Sequence, residues 1–240
     1  MKNWIVLGLV LVSASCPAQW GKGIKGNGNI VSIERSVGDY ESIAISGSFD
    51  IDLVSGSEGA LIVKGEENLL EYIVTEVENG KLVIRVEKGV YLKPSIHKGG
   101  IHVQVPVESI DALSLSGSGD IVGHTTLKTA DFKTSMSGSG DITLDVDTEA
   151  LTASMSGSGD MNLSGNTRDF KATISGSGDI KAYDLNADNV EATVSGSADI
   201  KVTANEKLKA RVSGSGDIHY RGNPKKVDTK TSGSGDISGE

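Results

Sequence analysis

From residue 30 onward, apolar residues fall on alternate positions. Ile142, Leu144 and Val146 are separated by polar residues, and so are Leu151, Ala153 and Met155. A period of two puts neighbouring side chains on opposite faces of an extended backbone, which predicts half-buried strands and an all-β fold. In the first half the predicted strands cover residues 30–33, 42–46, 49–54, 60–63 and 101–105, with a turn at Gly38-Asp39. Residues 73–78 and 81–87 alternate on either side of Asn79-Gly80, a dipeptide suited to a two-residue hairpin turn. Residues 66–72 predict one short helix. Residues 88–100, broken by Gly89, Pro94, Gly99 and Gly100, predict a loop, and the Gly-rich polar residues 19–29 a flexible leader.

The second half is a repeat. Ser-Gly-Ser-Gly-Asp-Ile, or a near copy, begins at Ser116, Ser137, Ser156, Ser175, Ser195, Ser213 and Ser232, and a degenerate copy begins at Ser46. The aspartates Asp120, Asp141, Asp160, Asp179, Asp199, Asp217 and Asp236 lie 21, 19, 19, 20, 18 and 19 residues apart. A fixed period of this size marks a stacked solenoid, here with rungs of about 19 residues, each of two short strands and two turns. Four columns can be followed from copy to copy: Ile121 to Ile237 after the Asp, Leu115 to Thr231 before the first Ser, Phe132 to Val227 four residues earlier, and the small Thr134, Ala153, Ala172, Ala192, Ala210 and Thr229 between the last two. One repeat cannot bury its own apolar face, but stacking like on like makes a continuous core.

The turn copies differ informatively. The first Gly is present in all eight, whereas the second is replaced by Phe49 and by Ala198. Phe and Ala resist positive φ, so the first Gly is expected to hold the special backbone conformation. The second is Gly for close approach or through duplication, and Gly157→Ala is expected to be more damaging than Gly159→Ala. The opposite edge varies, as in Asp147-Thr148-Glu149 and Gly222-Asn223-Pro224, which is where a solenoid usually varies its contacts.

With 23 basic and 32 acidic residues the formal net charge is −9, which argues against nucleic acid and anionic membranes as partners. Aromatic content is 4%, low for gripping sugars with stacked rings. Lys2, an apolar run over residues 4–12 and small residues over 13–19 read as an export signal, residues 1–18, too short to span a membrane as a mature helix. Cleavage after Ala18 competes with lipid attachment at Cys16, the one Cys; in neither case can an intrachain disulfide form. The protein is thus expected to be exported, to the periplasm, the outer-membrane surface or the medium. Residues 30–107 read as a less regular first half that caps and continues the solenoid, and 108–240 as the regular array. The array stops just after the turn at Asp236. An exposed last rung is a strand edge that Glu240, Lys225, Lys226 and Lys230 blunt or that another subunit covers, so a homo-oligomer is one expectation.

The Gly-Asn-Gly-Asn leader near Gly26, the Ser46 copy of the turn, residues 66–86 and the array of Gly-Ser-Gly-Asp turns together resemble the head GIN domain family of autotransporter-like adhesins, secreted or surface proteins of Bacteroidetes-type bacteria. The resemblance covers nearly all of the mature chain. It implies a right-handed parallel β-helix and a role in cell adhesion, toward a glycan or protein on a host or neighbouring cell. It brings no catalytic residues and no cofactor.

The residues themselves leave two alternatives open. The fold permits a polysaccharide lyase or other carbohydrate-active enzyme, but the four His residues, His97, His102, His124 and His219, have no motif partner, and the carboxylates of the Asp column are equivalent where catalysis needs unlike environments. Calcium is the other: β-rolls bind it through nine-residue repeats, and Asp120, Asp141, Asp160, Asp179, Asp199, Asp217 and Asp236 are the weak candidates here. Carboxylates about 4.8 Å apart repel by only about 0.9 kcal/mol in water, and one that accepts a turn N–H gains about 1.5 kcal/mol or more, so turn-capping aspartates are tolerable without metal.

Overall fold

The described residues of the computed structural model are 22–95 and 99–240. The chain begins with β1 (Lys22–Lys25), β2 (Ile30–Ser36), β3 (Ser42–Gly47), β4 (Phe49–Ser55) and β5 (Ala60–Glu66). After the one-turn helix α1 (Glu67–Leu70) come β6 (Ile73–Glu78), β7 (Lys81–Val86), β8 (Val90–Lys93) and β9 (Ile101–Val107). The array comprises β10 (Ala112–Gly117), β11 (Ile121–Gly138), β12 (Ile142–Gly157), β13 (Asp160–Gly176), β14 (Asp179–Gly196), β15 (Asp199–Gly214), β16 (Ile218–Arg221), β17 (Lys226–Gly233) and β18 (Ile237–Gly239).

These strands stack as parallel coils of about 19 residues into a β-solenoid of about 7 turns. The register is that of the repeat. Ser137 lies beside Ser156, Ser156 beside Ser175, and Asp160 beside Asp179. All four columns stack as the sequence places them, for instance Phe132 on Leu151, Leu151 on Phe170 and Ala153 on Ala172. The degenerate copy is a rung of the same stack, because β3 pairs with β10 and β4 with β11. One further rung, without the turn motif, is made by β7 under β3 and β9 under β4.

Two features depart from a rung of two short strands. Strands β11 to β15 each run on for 16 to 18 residues, around the variable edge, because pairing with the neighbouring coil continues through it with local register shifts. Inside that edge the buried hydroxyl of Thr148 donates to that of Thr167 at 3.1 Å, so polar residues fill a bend without leaving an orphan group. The parallel stack also ends in antiparallel pairing: β6 lies antiparallel on β7 through the Asn79-Gly80 hairpin, and β5 lies antiparallel on β9 with β2 outside it. Asn79 and Gly80 have φ of 52° and 74°, as that turn type requires. Tyr40 is buried beneath this end and donates its hydroxyl to the carbonyl of Pro106; burial, then Glu58, raises its pKa.

The leader and the loop are corrected by the structure. Lys22–Lys25 pairs in parallel with Val90–Lys93, so residues 22–29 are held and 88–100 contains a strand. The physical cause is Glu66, which is 2% exposed. Its carboxylate accepts the Gly28 N–H at 2.6 Å, the Ser95 N–H at 2.7 Å and the Ser95 hydroxyl at 2.7 Å. A side chain on Gly26 would meet that carboxylate 1.9 Å away. The predicted helix is only the single turn α1. The export signal, Cys16 and His97 lie outside the described residues.

The turn glycines meet two demands. The first ones do take positive φ, for example 149° at Gly138 and 154° at Gly157. The second ones are not free, however. A Cβ on Gly157 would lie 1.9 Å from the Gly138 carbonyl oxygen, and one on Gly159 would lie 1.8 Å from that of Gly140. Ala198 takes the second position in a turn whose Gly196 has a φ of 121°, against 149° at Gly176. The close approach is common to both glycines, and positive φ adds strain at Gly157 alone. Gly157→Ala and Gly159→Ala should each destabilise by on the order of 2 kcal/mol, a clash cost, while Ala198→Gly changes little; denaturant midpoints for the three variants check this. Glu66→Ala should free residues 22–29, seen as fast amide hydrogen exchange there with slow exchange retained in β12 to β15.

Candidate functional site

The Asp column forms an unbroken ladder. Each carboxylate Oδ1 accepts the backbone N–H of the Asp one coil later. The series runs from Asp50 to Asp120 (3.3 Å), Asp141 (3.0 Å), Asp160 (2.8 Å), Asp179 (3.2 Å), Asp199 (3.4 Å), Asp217 (2.8 Å) and Asp236 (2.7 Å), each donating to the one before. The aspartates therefore cap the next rung rather than their own turn. A second ladder runs beside it: the N–H of Ser139, Ser158 and Ser177 donates to the carbonyl of Gly117, Gly138 and Gly157 at 3.0, 2.9 and 3.0 Å. The positive φ of the first Gly thus belongs to a peptide whose carbonyl serves the neighbouring coil. Lys181 braces the column, with its ammonium 2.5 Å from Asp160 and 3.9 Å from Asp179; the Asp160 hydrogen bond raises its pKa.

Among the described residues, no three His, Cys, Asp or Glu side chains are grouped so as to hold a metal ion. The structure does bring together groups that sequence spacing kept apart. His124 lies 2.6 Å from Asp52 and His102 lies 3.7 Å from Asp50, both pairs at the surface; His219 meets Ser238 at 3.0 Å. Nothing local announces the first pair, whose members are 72 residues apart.

A groove of about 460 Å³ runs on another face, across β12 to β17. Its floor is the Leu151, Phe170, Val190, Leu208 and Val227 column, buried except at Val227, which lies on the last coil and is 49% exposed. One wall is the outward row Ala150, Asp169, Asn189, Lys207 and Lys226, and the other Thr152, Lys171, Glu191, Lys209 and Asp228. Arg168, then Asn189, hold the Asp169 carboxyl below its ordinary value through hydrogen bonds. Lys209 does the same for Glu191 and Arg211 for Asp228. Lys207 and Lys226 lie 19 residues apart beside the third apolar column, and Lys171 and Lys209 two periods apart, a signal that the turn motif overshadowed. A shallower valley beside the turns is lined by Ser114, Ser135 and Ser154 on one side and Ser116, Ser137 and Ser156 on the other. At the far end, Arg221 lies over the Tyr183 ring at 3.9 Å and pairs with Glu240 at 2.9 Å. Burial, and after it the Glu240 carboxylate, push the Tyr183 phenol up to about 12.

Residues 39–224 match the family model described as "Putative auto-transporter adhesin, head GIN domain". The chain belongs to the head GIN domain family. Among solved structures, a "putative adhesin" of Bacteroides fragilis superposes with a TM-score of 0.82 at 24% identity, over 91% of this chain and 100% of that one. A "putative lipid binding protein" of Parabacteroides distasonis gives 0.75 at 28%, and a "putative adhesin" of the same species gives 0.73 at 23%, each over 91% of this chain and 100% of the other. A comparison with curated proteins finds no match. Family and neighbours support an adhesin-like protein that is surface-bound or exported.

The head GIN turn makes a prediction that separates capping from metal binding. Asp141→Asn keeps a side-chain oxygen for the Asp160 N–H and should leave stability within about 0.5 kcal/mol, whereas Asp141→Ala removes it and should cost about 1–2 kcal/mol. Melting curves in excess calcium and in chelator should nearly coincide; a rise of more than about 10 °C with calcium would assign the column to the metal instead.

Proposed function

We propose that this head GIN protein is a non-catalytic adhesin that attaches through the long outward rows of its solenoid to a glycan or protein on a host or neighbouring cell. The observation that carries the reading is the equivalence of the rungs: each coil presents the same outward positions one strand spacing, about 4.8 Å, from the last. Many equivalent weak contacts favour multivalent attachment, in which effective concentration rather than one deep pocket supplies the affinity. A single reaction centre would call for groups in unlike environments, and the Asp ladder places like beside like. An export signal over residues 1–18, or lipid on Cys16, would deliver the solenoid to where such contacts are made.

The test compares cells lacking the protein with cells in which it is restored. Deletion should reduce attachment to the natural surface, and purified protein on beads should restore capture of that surface. Unchanged attachment would overturn the reading, as would polysaccharide turnover abolished by Asp52→Asn or His124→Ala, which would make the protein an enzyme.

A further inference from the structure

We propose that the groove across β12 to β17 binds a linear anionic polysaccharide, one carrying carboxylate or sulfate groups along its length. The proposal rests on the reading of the solenoid as an attachment surface and names the ligand class of one face.

Charge is distributed unevenly along the stack. The whole chain carries −9, yet residues 201–232 hold eight basic and three acidic side chains. In the groove, Lys209 is paired with Glu191 at 2.8 Å, and Asp228 is taken by Arg211 at 2.5 Å. Lys171, Lys207 and Lys226 have no carboxylate within ion-pair distance among the described residues. Lys207 and Lys226 are moreover register partners on adjacent coils. Both side chains are exposed, and Asp169, the acidic group nearest Lys207 along this wall, is already engaged by Arg168. An anion lying between the two lysines would be attracted to both.

The shape specifies a polymer. Five coils give a straight trough about 19 Å long, four rung spacings, which suits several units of an extended chain better than a compact ligand. In the second wall, Lys171 and Lys209 stand two rungs apart, about 10 Å, with Glu191 between them. The groove offers no aromatic ring to a neutral sugar, because Phe170 is 2% exposed and points into the core. The same lack of a stacking platform disfavours single-stranded nucleic acid. A lipid surface would need apolar side chains to insert; Ile62, Tyr91 and Val122 lie in the first two-thirds of the stack, away from the groove, and only Val227 borders it.

The experiment measures binding of the purified full chain to polygalacturonate and dextran sulfate, with neutral dextran, single-stranded DNA and phosphatidylglycerol vesicles in parallel. The expected result is binding to one or both acidic glycans and none to dextran, weakening as salt rises from 50 to 300 mM because the contacts are exposed charges. Lys171→Gln/Lys207→Gln/Lys226→Gln should weaken it at least tenfold with an unchanged melting temperature. Lys64→Gln/Lys88→Gln, outside the groove, should leave it intact. Equal binding by the groove variant overturns the proposal, as do binding to dextran, a preference for DNA or vesicles, or no binding to either acidic glycan. If the acidic glycans do not bind but deletion still abolishes attachment, the ligand is wrong and the adhesin reading stands. If they bind but deletion changes nothing, the reverse holds.

Discussion

Stacking a turn directly on a copy of itself, one strand spacing away, is the constraint that everything else in this molecule answers to. Along the flat parts of a coil, parallel pairing satisfies the backbone automatically. At the turn it does not, because the peptides rotate away from the stacking direction, and a buried or half-buried N–H without a partner costs on the order of 1–3 kcal/mol per copy. The Ser-Gly-Ser-Gly-Asp motif solves this twice. The first Gly, at positive φ, aims its carbonyl at the Ser N–H of the next coil, and the Asp carboxylate takes the next Asp N–H. Neither bond exists within one repeat, so the motif stabilises only when repeated.

The same constraint explains composition. Turns this close leave little room for a Cβ, which is why Gly dominates both positions. The thin cross-section is filled by columns of medium and small residues, with few aromatics. Ends are treated unlike the middle. At the start of the stack, antiparallel pairing of β5 and β6 replaces the parallel register. At the other end β17 pairs with β15 alone and its eight residues are all exposed.

A fold built this way separates scaffold from recognition. Inward positions are tied to one another by stacking, whereas each outward row varies freely without disturbing the core. Opposite charges in adjacent coils therefore brace the surface, as Lys209 does with Glu191 and Lys225 with Glu206.

Strand character, rung length, the four apolar columns and the special first Gly were all legible from the sequence, because each depends on the period of two within a strand or the period of about 19 between coils. The hairpin at Asn79-Gly80 was legible for the same local reason. What only the tertiary structure decided involves groups brought together by stacking or by packing at long range. The Asp carboxylate could have capped its own turn; which N–H it accepts depends on where the next coil lies. For the second Gly the sequence left close approach and duplication both open; the carbonyl 1.8 Å from a Cβ on Gly159, which belongs to another coil, decides for close approach. The leader looked flexible because its anchor, Glu66, is 38 residues from Gly28. The pairing of His124 with Asp52 and the placing of Lys207 and Lys226 at partner positions follow likewise from register, which local residue preferences do not encode.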